Sequence, residues 1–156
     1  MSARRLGWVG LAVALLGAQV WADEGARSAR VPLLPKYTQE CAACHIAYPP
    51  GLMPAASWQR VTANLPRHYG TDALLDPATV SALADWLTAN AARDGRRSEP
   101  PPDDRITRSA WFIRKHREVA AATWKLPSVR SAANCAACHT QADQGDFNEH
   151  HVRIPR

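Results

Sequence analysis

Cys41-Ala42-Ala43-Cys44-His45 and Cys135-Ala136-Ala137-Cys138-His139 spell the same pentapeptide, CAACH, and together hold all four cysteines of the 156-residue chain. Four chemistries compete for such pairs. A redox dithiol of the C-x-x-C type needs a βαβ setting, and runs of alternating Val, Ile, Thr and aromatic residues, the signal for strands, are nearly absent here. A four-cysteine zinc site asks for ligand pairs close together in the chain, whereas these lie one in each half. Disulfides within each pair would close tiny loops and add little stability.

The fourth chemistry uses the histidine. C-x-x-C-H is the attachment sequence of c-type haem. Each thiol forms a thioether to one vinyl group of the porphyrin, and the adjacent histidine reaches the iron. Two such motifs, using every cysteine, predict two covalently bound haem c groups: Cys41, Cys44 and His45 for haem 1, and Cys135, Cys138 and His139 for haem 2.

The rest of the chain agrees with this reading. Met1–Arg5 carries two arginines, Leu6–Val20 is apolar apart from Gln19, and Val20-Trp21-Ala22 places small residues where a signal peptidase reads, ahead of Asp23. The apolar run is too short for a spanning helix, which needs about 20 residues. Residues 1–22 are therefore expected to be a cleaved signal peptide, and the mature protein periplasmic. The formal net charge of +5 includes Arg4 and Arg5 of that leader, which leaves too small an excess to argue for nucleic acid. Pro100-Pro101-Pro102 sits in a charged stretch, so 93–105 reads as a solvated linker. It separates an N-terminal haem 1 half, 23–92, from a C-terminal haem 2 half, 106–156. Each half is short for a self-sufficient core, and a haem disc supplies what the side chains lack.

Helix signals are clear in places. Asp76-Pro77 is an N-cap followed by proline at the first helical position, and Val80, Leu83, Ala84 and Leu87 then recur at helical spacing, predicting a helix over 77–92. A second is expected over 57–65, capped by Ser57 and stopped by Pro66, with His68 and Tyr69 on a short turn closed by Gly70. A third starts at Ser109. Short helices are expected around each CAACH, and an irregular tail from Gly145. The fold class is mostly α and loop-rich, in two small haem-binding halves.

The sixth iron ligand decides the chemistry: methionine raises the potential, histidine keeps it lower, and an open site admits small molecules. Met53, the one methionine after the leader, follows His45 too closely to reach around a haem and reads as a packing residue. His68 follows His45 at the same interval by which His116 precedes His139, so His68 suits haem 1 and His116 suits haem 2. His150 or His151 is an alternative for haem 2, and the two halves could also exchange distal ligands. Trp58, Trp86, Trp111 and Trp124 read as haem-pocket packing. Two six-coordinate irons point to electron transfer without turnover of a small-molecule substrate. A dihaem peroxidase or reductase, or a gas-binding haem protein, would instead need one open iron site.

With these residues in view the chain resembles the bacterial dihaem cytochrome c family of small periplasmic electron carriers. The resemblance lies in the two CAACH motifs, in Ser57-Trp58-Gln59-Arg60 through His68-Tyr69-Gly70, and in Trp86-Leu87-Thr88-Ala89-Asn90-Ala91. It continues through Trp111-Phe112-Ile113-Arg114-Lys115-His116 and the tail from Gly145-Asp146-Phe147 to Val152-Arg153-Ile154-Pro155. It implies two bis-histidine haems, with His68 and His116 at the distal positions. It also implies a membrane cytochrome b as electron donor and a small oxygen-binding c-type haem protein as acceptor.

Overall fold

The computed structural model describes residues 31–156; the expected signal peptide, 1–22, lies outside the described residues. Among the described residues there are four α-helices, α1 (Pro35–Cys41), α2 (Ala55–Thr62), α3 (Pro77–Ala89) and α4 (Ala110–Lys115), with short 3-10 turns between them and after α4. Among the described residues there is no β-strand, only the isolated bridges Pro54–Ala92, His68–Thr71 and His139–Val152.

Local chemistry explains the boundaries. The Asp76 carboxylate accepts the Thr79 backbone N–H at 3.0 Å, capping α3 with Pro77 in its first turn. The helix stops at Ala89, short of the expected Ala92. There the Asn90 side-chain amide donates to the Trp86 carbonyl at 2.8 Å, and the Ala92 N–H donates to the Met53 carbonyl at 2.9 Å, drawing the chain out of helix. The second helix starts two residues earlier than expected. Pro54 occupies the cap with extended backbone, and Ser57 is fully buried inside the first turn. The Thr62 hydroxyl donates back to the Trp58 carbonyl at 2.9 Å as α2 ends, and Pro66 lies in the 3-10 turn Leu65–Arg67 that follows. Ser109 caps α4 by accepting from the Phe112 N–H at 3.2 Å.

The apolar core lies where α2 crosses α3 and gathers Tyr37, Ala47, Met53, Trp58, Leu83, Leu87 and Ala91. Met53 is a core residue, 3% exposed. Trp58 belongs to this helix contact, its indole N–H donating to the Pro50 carbonyl at 2.7 Å. After residue 105 the buried hydrophobics are only Phe112, Val129 and Ala142. A half with so few apolar side chains inside depends on something else to fill it.

The segment expected as a linker, 93–105, is anchored to the N-terminal half. The Asp104 carboxylate pairs with Arg60 of α2, the Tyr69 hydroxyl donates to the Asp104 carbonyl at 2.8 Å, and the Arg105 guanidinium lies 4.3 Å from the Tyr69 ring centroid. Asp103, Asp104 and Tyr69 all hold positive φ, at 54°, 52° and 53°. Non-glycine residues take up this region at a cost, and persist there when surrounding contacts enforce it. A second tie joins the halves directly: the Tyr48 hydroxyl donates to the Ala133 carbonyl at 2.7 Å.

Candidate functional site

The two CAACH motifs fold differently. Cys41 is the last residue of α1, and Cys44 and His45 follow in the next turn. Cys135–Ala137 is a single 3-10 turn, closed by the His139 N–H donating to the Cys135 carbonyl at 2.8 Å. The C-terminal tail is stitched to the second motif. Thr140 N–H donates to the His151 carbonyl at 3.0 Å, and Arg153 N–H to the Cys138 carbonyl at 2.8 Å. No disulfide joins any two of the four cysteines. Before the porphyrin is attached, burial, foremost, pushes the Cys41 and Cys135 thiols each up to about 11. Among the described residues no cluster of three or more His, Cys, Asp or Glu side chains is placed to hold a metal ion, so the motifs do not converge on a four-cysteine site.

The histidines pair instead. The His45 and His68 rings lie 6.1 Å apart between centroids, and the His116 and His139 rings also lie 6.1 Å apart. Metal–imidazole bonds of about 2 Å on each side, with each centroid roughly 1 Å behind its nitrogen, put two axial imidazoles about 6 Å apart. Both pairs therefore leave room for one iron between them. His45 Nδ1 donates to the Ile46 carbonyl at 2.6 Å, and His116 Nδ1 donates to the Phe112 carbonyl at 2.9 Å. A carbonyl only accepts, so the proton sits on Nδ1 and leaves the Nε2 lone pair free for a metal. Burial, foremost, and the facing histidine lower the pKa of His68 and of His139, which favours the neutral, ligating form.

Aromatic rings hold these imidazoles in place. Tyr48 stacks on His45 at 4.7 Å, and Phe112 stacks on His116 at 3.9 Å. Trp124 lies 6.0 Å from His116, and Phe147 lies 5.2 Å from His139. Of the four tryptophans expected as pocket packing, Trp124 stands beside a paired histidine and Trp111 beside Phe112 at 6.1 Å. Trp58 and Trp86 pack in or against the α2–α3 core. His150 is exposed, and His151 donates from Nδ1 to the Asp146 carboxylate at 2.7 Å.

The residues that sequence reasoning passed over are Tyr48, Asp146 and the Tyr69–Arg105 contact. Each lies in an irregular loop, where no periodicity marks a side chain for the interior. Their roles depend on neighbours far along the chain, as in the bond from Tyr48 to Ala133.

Two C-x-x-C-H motifs, each with a second histidine an iron's width from the first, define a c-type haem protein with two centres. Residues 37–147 match the family described as dihaem cytochrome c, and the chain belongs to that family. It accordingly carries two covalently bound haem c groups. Among solved structures it is similar to a dihaem cytochrome c from Shewanella baltica OS155, with 39% identity and a TM-score of 0.69 over 80% of this chain and 95% of that one. It is also similar to a dihaem cytochrome c from Rhodobacter sphaeroides, with 41% identity and a TM-score of 0.67 over 75% of this chain and 100% of that one. A second Rhodobacter sphaeroides structure shares 44% identity, with a TM-score of 0.65 over 75% of this chain and 99% of the other. No curated protein matches the chain.

Proposed function

We propose that this protein is a periplasmic one-electron carrier with bis-histidine ligation at both irons. Cys41 and Cys44 would anchor haem 1 by thioether bonds, and His45 and His68 would hold its iron. Cys135 and Cys138 would anchor haem 2, and His139 and His116 would hold its iron. When bound, the haems supply reversible one-electron redox chemistry. The protein's part is to hold the ligands still. The Ile46 and Phe112 carbonyls orient His45 and His116, and the stacked Tyr48 and Phe112 rings limit their rotation. Ligands that keep their geometry in both oxidation states keep reorganisation small. With both axial positions taken by protein, neither centre offers a site to a small-molecule substrate.

What supports this reading above all is that two independent histidine pairs share one 6.1 Å spacing. Residues 1–22 act as the export signal. A membrane cytochrome b donates electrons, and a small c-type haem protein accepts them. Optical spectra of the holoprotein test the ligation. Two low-spin centres that do not respond to carbon monoxide are expected, whereas a high-spin band or a carbon monoxide shift in the unmodified protein would point to a peroxidase, reductase or gas-binding protein. Reoxidation of the reduced protein by a purified small c-type haem protein, followed by stopped flow, tests the acceptor.

A further inference from the structure

Ile113 of α4 is 60% exposed, a large apolar side chain left in solvent on the helix that ends at His116. The same short helix buries Phe112, whose ring stacks on His116. Cations follow Ile113 closely in the chain. Arg114 and Lys115 fill the last turn, and Arg117 comes directly after His116 with its side chain 72% exposed. Between Ser109 and Arg130 there are five basic residues and one acidic residue, Glu118. Glu118 also lines a cleft with Val119 and Glu149, so acid gathers beyond the turn and bounds the basic patch there.

Stability of the fold does not account for this grouping. On α1 Lys36 pairs with Glu40, and on α2 Arg60 pairs with Asp104. Arg114 and Lys115 have no ion-pair partner among the described residues. Arg117 approaches only Glu118, at 3.7 Å with both side chains in solvent, where such a pair contributes little. Basic residues suit the C-terminal end of a helix dipole, but that effect asks for no exposed isoleucine beside them.

We infer that Ile113, Arg114, Lys115 and Arg117 form a docking surface for the acidic face of a small redox protein. Unpaired cations steer an anionic surface toward them and select its orientation. One apolar contact among them holds the complex briefly and lets it part, as suits redox encounters, which use the smallest interfaces. A lipid surface fits less well. The helix is six residues long with Ile113 as its one exposed large apolar side chain, too little apolar face to lie in a membrane surface. A second copy of the chain would set like charges against each other. The inference deepens the carrier reading above and rests on it: a partner docked here lies against the turn that presents His116, close to the second centre.

Isothermal titration calorimetry of the oxidised holoprotein with an oxidised acidic plastocyanin tests the surface without electron transfer. Binding should weaken steadily as ionic strength rises. Arg114→Glu with Arg117→Glu should raise Kd about tenfold or more at low salt. Arg114→Gln with Arg117→Gln should fall between that pair and the native protein. Ile113→Ser should raise Kd about threefold and leave the salt dependence unchanged. Lys36→Glu with Arg67→Glu makes the same change in net charge outside the C-terminal half, at exposed positions, and should leave Kd near its native value. If it weakens binding as much, net charge is at work and the inference fails. It fails also if plastocyanin does not bind, or binds the α4 variants as well as the native protein. Phosphatidylglycerol vesicles that bind through these residues while plastocyanin does not would show the occupant to be a membrane and overturn it too. Low-spin spectra check that each variant keeps its iron ligands. Failure of the carrier reading has a separate signature, a high-spin band in the unmodified protein.

Discussion

Arg60 on α2 clasps Asp104 with two parallel hydrogen bonds, Nε to one carboxylate oxygen at 2.8 Å and Nη2 to the other at 2.7 Å. The pair joins the first helix contact to a segment whose composition reads as linker. Both residues also line an open cleft of about 260 Å³ shared with Arg67, His68 and Tyr69. The backbone of that segment is therefore held against the loop that presents His68.

The Asp104 carboxyl is held below its usual range, chiefly by the hydrogen bond from Arg60. A depressed carboxyl pKa contributes stability that is present above the unfolded value, near 4, and is lost as pH falls through the lower folded value. Asp104→Asn is expected to lower the melting temperature modestly at neutral pH, since the pair faces solvent. The difference from the native protein should shrink as the pH is taken down through the carboxylate range. Calorimetry at a series of pH values measures this, and a difference that grows toward acid pH would contradict it.

Removing a distal histidine opens one iron and spares the other. His68→Ala and His116→Ala are each expected to convert a single centre to high spin and to let it bind carbon monoxide. The remaining centre should stay low-spin. If His116→Ala leaves both centres low-spin, the second distal ligand lies elsewhere, with His151 the first place to look.

Tyr48 touches both halves, stacking on His45 and donating to the Ala133 carbonyl. Tyr48→Phe keeps the stack and deletes the bond, at an expected cost of about 1 kcal/mol, typical of one intramolecular hydrogen bond. Tyr48→Leu deletes both and should also disturb the His45 centre. Denaturant titration compares the stabilities, and the spectrum of the His45 centre reports the stack. Equal effects of the two substitutions on that spectrum would rule out a role for the ring.

Leu87 is 2% exposed in the α2–α3 core. Leu87→Ala leaves a cavity there and should destabilise the holoprotein by about 2–5 kcal/mol. Both low-spin spectra should persist while the protein is folded, because the core supports the ligands from behind without touching the irons. A selective spectral change at one centre would show that the core positions that ligand directly.

Much of this protein was decided by short-range patterns. The attachment of two haems follows from a pentapeptide read by itself, because the chemistry needs two thiols and a histidine at fixed spacing. The cap at Asp76 and the cap at Ser109 stand where local hydrogen bonding puts them. The family was legible for the same reason, as its motifs are contiguous stretches. The start of α2 differs from the sequence expectation because Ser57 is the better cap by residue type, yet it lies fully buried inside the first turn beside Arg60 while Pro54 takes the cap position. The role of 93–105 was hidden because proline and charge look alike in a free linker and in one pinned by Arg60 and Tyr69. Equal intervals in the chain suggest the pairing of His45 with His68 and of His116 with His139 but leave exchange between the halves open, and only the folded chain brings these rings together; the turn of His151 toward Asp146 and the bond from Tyr48 to Ala133 likewise join residues from different loops. No periodicity encodes such contacts, so they exist only once the chain has closed on itself.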